Sequence, residues 1–157
     1  MEKISAEVIG KFESDGDANK LVYAPLNAPV KYRRTRVYML EYEGELESAK
    51  NFVQRSLVDD YADEVFYTSE PAVQDFSFYI DYGMKPGALD LEKEAILSSH
   101  KGTEGFDIVS LKLVQRIYIF SDPSITSERF VRDVCNPAIH VWSVTDSNGQ
   151  KVAWSAL

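Results

Sequence analysis

Residues 109–120, VSLKLVQRIYIF, constrain this chain more than any other segment. Leu111, Leu113, Ile117 and Ile119 share one parity, so an extended backbone places them on a single face. The run reads as the strongest strand of the chain, either one long strand or two bent about Gln115-Arg116. Other strands follow the same alternation. Ile4, Ala6 and Val8 alternate with polar neighbours, and residues 31–41, 65–67, 76–82 and 139–144 are rich in β-branched and aromatic side chains. The turn Ser147-Asn148-Gly149 predicts a hairpin into a last strand at 152–154. Between the strands lie helical patterns. Leu46, Ala49, Val53 and Leu57 make an apolar stripe. A second helix runs from an Asp90 cap to about Ser99, with Leu91, Ala95 and Ile96 inward and Lys101 favouring its end. A third opens at Asp122-Pro123-Ser124, turns Phe130, Val131, Val134 and Cys135 inward, and stops at Asn136-Pro137. Pro86 and Gly87 suit the two central positions of a type II turn.

With 157 residues, the chain is sized for one ordinary domain or two small halves sharing a core. Seventeen Lys+Arg stand against 25 Asp+Glu, a net charge of −8. That balance argues against nucleic acid and against an anionic membrane, both of which need a basic face. A single cysteine, Cys135, allows neither an internal disulfide nor a cysteine-based zinc site and fits a reducing compartment. Glu2, Lys3 and Glu7 stand where a secretory signal needs an apolar core, so the expectation is a soluble, cytoplasmic protein.

Catalytic parts are scarce. The two histidines are His100, expected to serve the carbonyls of a last helical turn, and His140, expected on the less buried face of a strand. No nucleophile elbow surrounds a serine and no glycine-rich phosphate cradle is present. Asp59, Asp60, Asp63 and Glu64 read as a solvated helix end rather than a metal site. The expectation is therefore no catalytic residues, no cofactor and no metal, with binding or scaffolding as the default role.

Two stretches match in order. Arg36-Val37-Tyr38-Met39-Leu40 parallels Arg116-Ile117-Tyr118-Ile119-Phe120 at an offset of 80, Phe52-Val53 parallels Phe130-Val131 at 78, and Val65-Phe66-Tyr67 parallels Val141-Trp142-Ser143 at 76. Each copy reads as strand–helix–strand. The fold expected is α+β, with duplicated units forming antiparallel-rich sheets, helices packed on one side, and the halves related by a pseudo-twofold axis. The first half spans 1–73, with a degenerate N-terminal part. The second spans 74–157, with an extra C-terminal hairpin. Both belong to one shared domain.

Met84-Lys85-Pro86-Gly87-Ala88-Leu89-Asp90, followed by Glu92-Lys93-Glu94-Ala95-Ile96, resembles a segment of the PurS family, as does Cys135-Asn136-Pro137-Ala138-Ile139. PurS is the small subunit of phosphoribosylformylglycinamidine synthase, an ATP-dependent, glutamine-using amidoligase of purine biosynthesis. Phe66-Tyr67-Thr68-Ser69-Glu70-Pro71-Ala72-Val73 is similar to a junction in the doubled PurS-like domain of the single-chain enzyme. The resemblance implies a non-catalytic bridge between a large synthetase subunit and a glutaminase, as a monomeric pseudo-dimer or weak homodimer. It points to Lys85, Pro86, Gly87, Leu89, Asp90, Asn136 and Pro137 as interface residues. Tyr79, Tyr82 and Trp154 could anchor an interface, although core placement is the simpler expectation. The alternative is a ferredoxin-like module for small-ligand sensing or protein interaction.

Overall fold

The computed structural model describes residues 1–100 and 105–155. Among these the chain is α+β, with three α-helices and an eight-stranded, mostly antiparallel sheet. Two compact units are built from interleaved segments. Unit 1 comprises Met1–Phe12, Thr35–Ala72 and Leu89–Val114, and unit 2 comprises Glu13–Arg34, Val73–Ala88 and Gln115–Leu157. A boundary drawn along the chain near residue 73 meets one of these crossings. The backbone also passes between units at 12/13, 34/35, 88/89 and 114/115.

In unit 1, β1 (Glu2–Gly10) lies between β3 (Lys31–Gly44) and β4 (Asp63–Phe66), antiparallel to both. The register sets Ile4 opposite Leu40, Ala6 opposite Tyr38 and Val8 opposite Arg36. Those apolar side chains form one face, which α1 (Leu46–Ser56) and α2 (Leu91–Ser99) cover. From α1 come Ala49, Phe52 and Val53, spaced three and four apart, and Phe52 is fully buried. Burying a phenylalanine contributes roughly 1.5–3 kcal/mol, so this helix is held by packing more than by propensity. Gly44 ends β3 at φ 125°, where a Cβ would lie 2.4 Å from the Gly105 carbonyl oxygen. Only glycine meets both conditions without displacing the chain.

In unit 2, β5 (Phe78–Met84) lies between residues 115–120 of β6 (Phe106–Phe120) and β7 (His140–Asp146), again antiparallel to both. Beyond β7 comes β8 (Lys151–Trp154), joined by a hairpin whose Asp146 side chain accepts the Asn148 and Gln150 N–H groups. The short β2 (Gly16–Asp17) pairs with Lys31 and Tyr32. One 3-10 turn, Ala18–Leu21, is capped by Asp17. With α3 (Glu128–Val134) it covers a core of Phe78, Ile80, Ile117, Ile119 and Val144, centred on Phe130. Cys135 is buried in this core, and the loss of solvent pushes its thiol up to about 11.

The strands of the two units share a connectivity. In each, the first strand is central, the second pairs on one side, a helix follows, and the next strand returns to the other side. The letter-for-letter matches at 80 and 76 do not respect the pleat, however. Tyr38 and Leu40 face α1, whereas Ile117 and Ile119, not Tyr118 and Phe120, join the core beneath α3. A slip of one residue moves every side chain of a strand to the opposite face, so any correspondence between the strands needs an odd offset, while the helical pair Phe52 and Phe130 at 78 is fully buried in both units. Tyr38, opposite Ala6, answers to Ile117, opposite Ile80, an offset of 79.

Several local expectations shift. The strand expected at 76–82 runs through Gly83 and Met84, because both continue the ladder with β7. Leu91 is exposed and Ala95 is too, leaving Ile96 as the buried anchor of α2. Asp122 binds the Ser124 N–H in a tight turn and the third helix starts later, at Glu128. Trp154 is exposed on β8 rather than in the core. The His100 ring packs against Phe52 and Phe106, and among the described residues it bonds no helix carbonyl. The end-of-helix role expected of Lys101 lies outside the described residues.

Candidate functional site

Within unit 2, the two motifs singled out along the chain meet. The Lys85 N–H donates to the Ile139 carbonyl at 2.8 Å, extending the β5–β7 ladder by which Met84 faces His140. The Ala88 N–H donates to the Lys85 carbonyl at 3.0 Å, closing a turn in which Gly87 takes φ 86°. This is the positive φ expected of a type II turn at that position. A Cβ on Gly87 would touch nothing within 4 Å, so its glycine serves backbone conformation alone.

The facing turn begins where α3 stops. The Asn136 carbonyl accepts from the N–H groups of Ile139 and His140, and its side-chain oxygen accepts from Ala138 at 2.9 Å. Pro137 supplies no N–H and needs no partner. The Asn136 N–H donates to His140 Nδ1 at 2.9 Å, which requires an imidazole whose Nδ1 is unprotonated. Burial lowers the His140 pKa and favours that same neutral form. Its ring packs edge-on against Tyr82, at 5.2 Å between centroids, and the Tyr82 hydroxyl accepts from Arg34.

Lys85, Pro86, Gly87, Asn136 and Pro137 therefore sit on adjoining turns at one end of unit 2. Pro86, Gly87, Asn136 and Pro137 are exposed. Met84 and Ile139 add apolar surface between them, each 38% exposed. Sequence reasoning did not single out these two as contact residues. Their signal was the continuation of the β5–β7 pairing past the expected strand end. The remaining predicted residues belong to unit 1. Asp90 caps α2 by accepting the Lys93 N–H at 3.0 Å, and Leu89 is exposed just before it.

Unit 1 also holds a cleft of about 510 Å3 between the end of α1 and α2. The Arg36 Nε–H donates to the Tyr38 hydroxyl at 3.1 Å, and that hydroxyl donates to Glu92 Oε1 at 3.4 Å. Arg36 Nη2 makes a single 3.4 Å contact with Asp63 Oδ2. Burial alone would lower the guanidinium pKa, but Tyr38 and Asp63 outweigh it and raise it. Burial pushes the Tyr38 phenol up against the pull of Arg36, and Glu92 adds to the rise. Along the chain Arg36 and Tyr38 stand out only as letters of a repeat, and Asp63, expected on a solvated helix end, instead opens β4 with a largely buried side chain against Arg36. Among the described residues no group of three or more His, Cys, Asp and Glu side chains could hold a metal ion. No helix among them is long and apolar enough to cross a membrane. In comparison with known proteins, no family model, no curated protein and no solved structure matches this chain.

Proposed function

We propose that this chain is a non-catalytic assembly subunit of PurS type. It bridges the synthetase and glutaminase subunits of a cytoplasmic phosphoribosylformylglycinamidine synthase, as a monomer or weak homodimer. The observation that carries the reading is the Lys85–Ile139 hydrogen bond, which unites two motifs separated along the chain into one exposed surface. Met84, Pro86, Pro137 and Ile139 give that surface apolar content on a backbone held by turns and a strand ladder, the kind of rigid patch suited to docking. A scaffold raises the effective concentration of its partners and so favours ammonia transfer without supplying chemistry itself.

Shared connectivity supports the duplicated reading of the fold. So does a reciprocal assignment of segments. Most of the excursion between β1 and β3 (13–30) belongs to unit 2, while most of that between β5 and β6 (from residue 89) belongs to unit 1. Two copies exchanging their first crossovers would produce this pattern.

The test is co-purification with a PurS-type synthetase and glutaminase in the presence of ATP and glutamine. Wild-type chain is expected to form a ternary complex and to stimulate glutamine-dependent amidation. Ile139→Asp, a change at a half-exposed position, is expected to abolish capture while leaving the melting temperature within about 2 °C. No complex with the wild-type chain, or undiminished capture by the variant, overturns the proposal.

A further inference from the structure

The unit 1 cleft holds opposite charges joined by one phenol. Arg36 Nε and Glu92 Oε1 both bond Tyr38 Oη, so they are no more than about 6.5 Å apart, the two bonds end to end. A guanidinium carries five N–H donors in a planar fork. Nε is used by Tyr38, and Nη2 reaches Asp63 only at 3.4 Å and at one oxygen. Nη1 makes no hydrogen bond among the described residues. Contrast Arg116 in unit 2, where Asp81 takes Nε and Nη2 at 2.7 and 3.0 Å. Arg116 has its carboxylate fork in place, while Arg36, with a side chain 37% exposed, has room for one. Glu92 in turn accepts only the long bond from Tyr38 among the described residues, so its second oxygen is open to a donor.

We infer that this cleft binds a free α-amino acid as its zwitterion, with the carboxylate on Arg36 and the ammonium on Glu92. In such a ligand the two charged groups hang from one carbon, with the nitrogen and the carboxyl carbon about 2.5 Å apart. Hydrogen bonds of about 2.8 Å at each end then span the distance from guanidinium to carboxylate. A lone anion would meet Glu92 and Asp63, and a lone cation would meet Arg36, whose charge Asp63 offsets only through one 3.4 Å contact. Each is penalised by the group that welcomes the other end, so the cleft selects for both charges together. Ser56 and Ser99 line it with hydroxyls, and Leu57 and Ile96 offer apolar wall for a side chain. Its volume lies within the roughly 300–1,000 Å3 of small-ligand sites. Asp90, by capping α2, is the positioning residue that holds Glu92 in the first turn. The inference uses unit 1 alone and does not depend on the docking surface.

The test uses the purified full chain without partner proteins, so its outcome is separate from that of the assembly reading. Thermal melts with each standard L-α-amino acid at about 10 mM, followed by calorimetric titration, are expected to find one amino acid or a related group that raises the melting temperature. The N-acetyl and carboxamide derivatives of the best ligand should each lose the effect. Glu92→Gln, on an exposed helical position, and Arg36→Gln should each weaken binding about tenfold or more. If Arg36→Gln fails to fold, Glu92→Gln and the derivatives decide alone. A full set of amino acids without a shift overturns the inference. Binding that survives capping of either ligand charge, or that Glu92→Gln leaves unchanged, does so equally.

Discussion

Two glycines with the same backbone sign and different surroundings separate conformational strain from steric exclusion. Gly44 and Gly87 both have positive φ, 125° and 86°. An alanine at Gly87 would meet empty space. Its cost is the conformational penalty of an L-residue at positive φ, about 1–2 kcal/mol. An alanine at Gly44 carries at least that penalty, because φ 125° lies beyond the left-handed helical well, and it also drives its Cβ to 2.4 Å from the Gly105 oxygen and 2.6 Å from Phe106 Cα. Both neighbours are backbone, so relief requires the start of β6 to move, and Phe106 is a buried member of the unit 1 core packed on Phe52. Overpacking of this kind adds roughly 1–3 kcal/mol. The expected totals are about 1–2 kcal/mol for Gly87→Ala and about 2–5 kcal/mol for Gly44→Ala. At about 2–4 °C per kcal/mol for a chain of this size, Gly44→Ala should melt several degrees below Gly87→Ala. Urea denaturation followed by far-UV circular dichroism, with the slope checked for constancy, measures both. If the two variants agree within about 0.5 kcal/mol, the close approach of Gly44 to Gly105 does not constrain the fold and the reasoning fails.

Two further outcomes follow from charged and titrating groups. Asp81→Ala removes the bidentate carboxylate from Arg116, whose guanidinium also lies 4.3 Å over the Tyr79 ring in a largely buried setting. The loss should be about 2–3 kcal/mol in denaturant unfolding, and a change below about 0.5 kcal/mol would refute the assigned importance of the pair. The folded state depresses the His140 pKa, so below the ordinary value of about 6.5 the unfolded chain binds more protons. His140 therefore makes stability fall as pH drops from about 6.5 towards its lower folded-state value, and has no such effect at higher pH. His140→Gln should flatten that part of the pH–stability curve, and identical curves for variant and wild type would remove the argument.

Local chemistry was legible along the chain because its causes are local. Pro86 and Gly87 select a turn by their own φ preferences, Asp90 caps the next helix through an N–H three residues ahead, and alternating side chains in 109–120 announce a strand. Each needs only neighbours within a few residues, and the turn and the cap are observed where those residues stand. The sequence by itself thus determined the element types, the α+β class and the scarcity of catalytic motifs. Alternation also marked the buried face of β1 and β6, whereas tertiary structure alone decided how the strands of the two units correspond, since that follows cross-strand register and not letter matches. It decided that β6 serves two cores, with Leu111 in one and Ile117 and Ile119 in the other. It also brought Lys85 to Ile139 and Arg36 to Glu92, pairs whose separation along the chain leaves no periodic trace. Such encounters depend on which long-range contacts offset the entropy of closing the intervening chain, and that balance is struck by the whole packed fold.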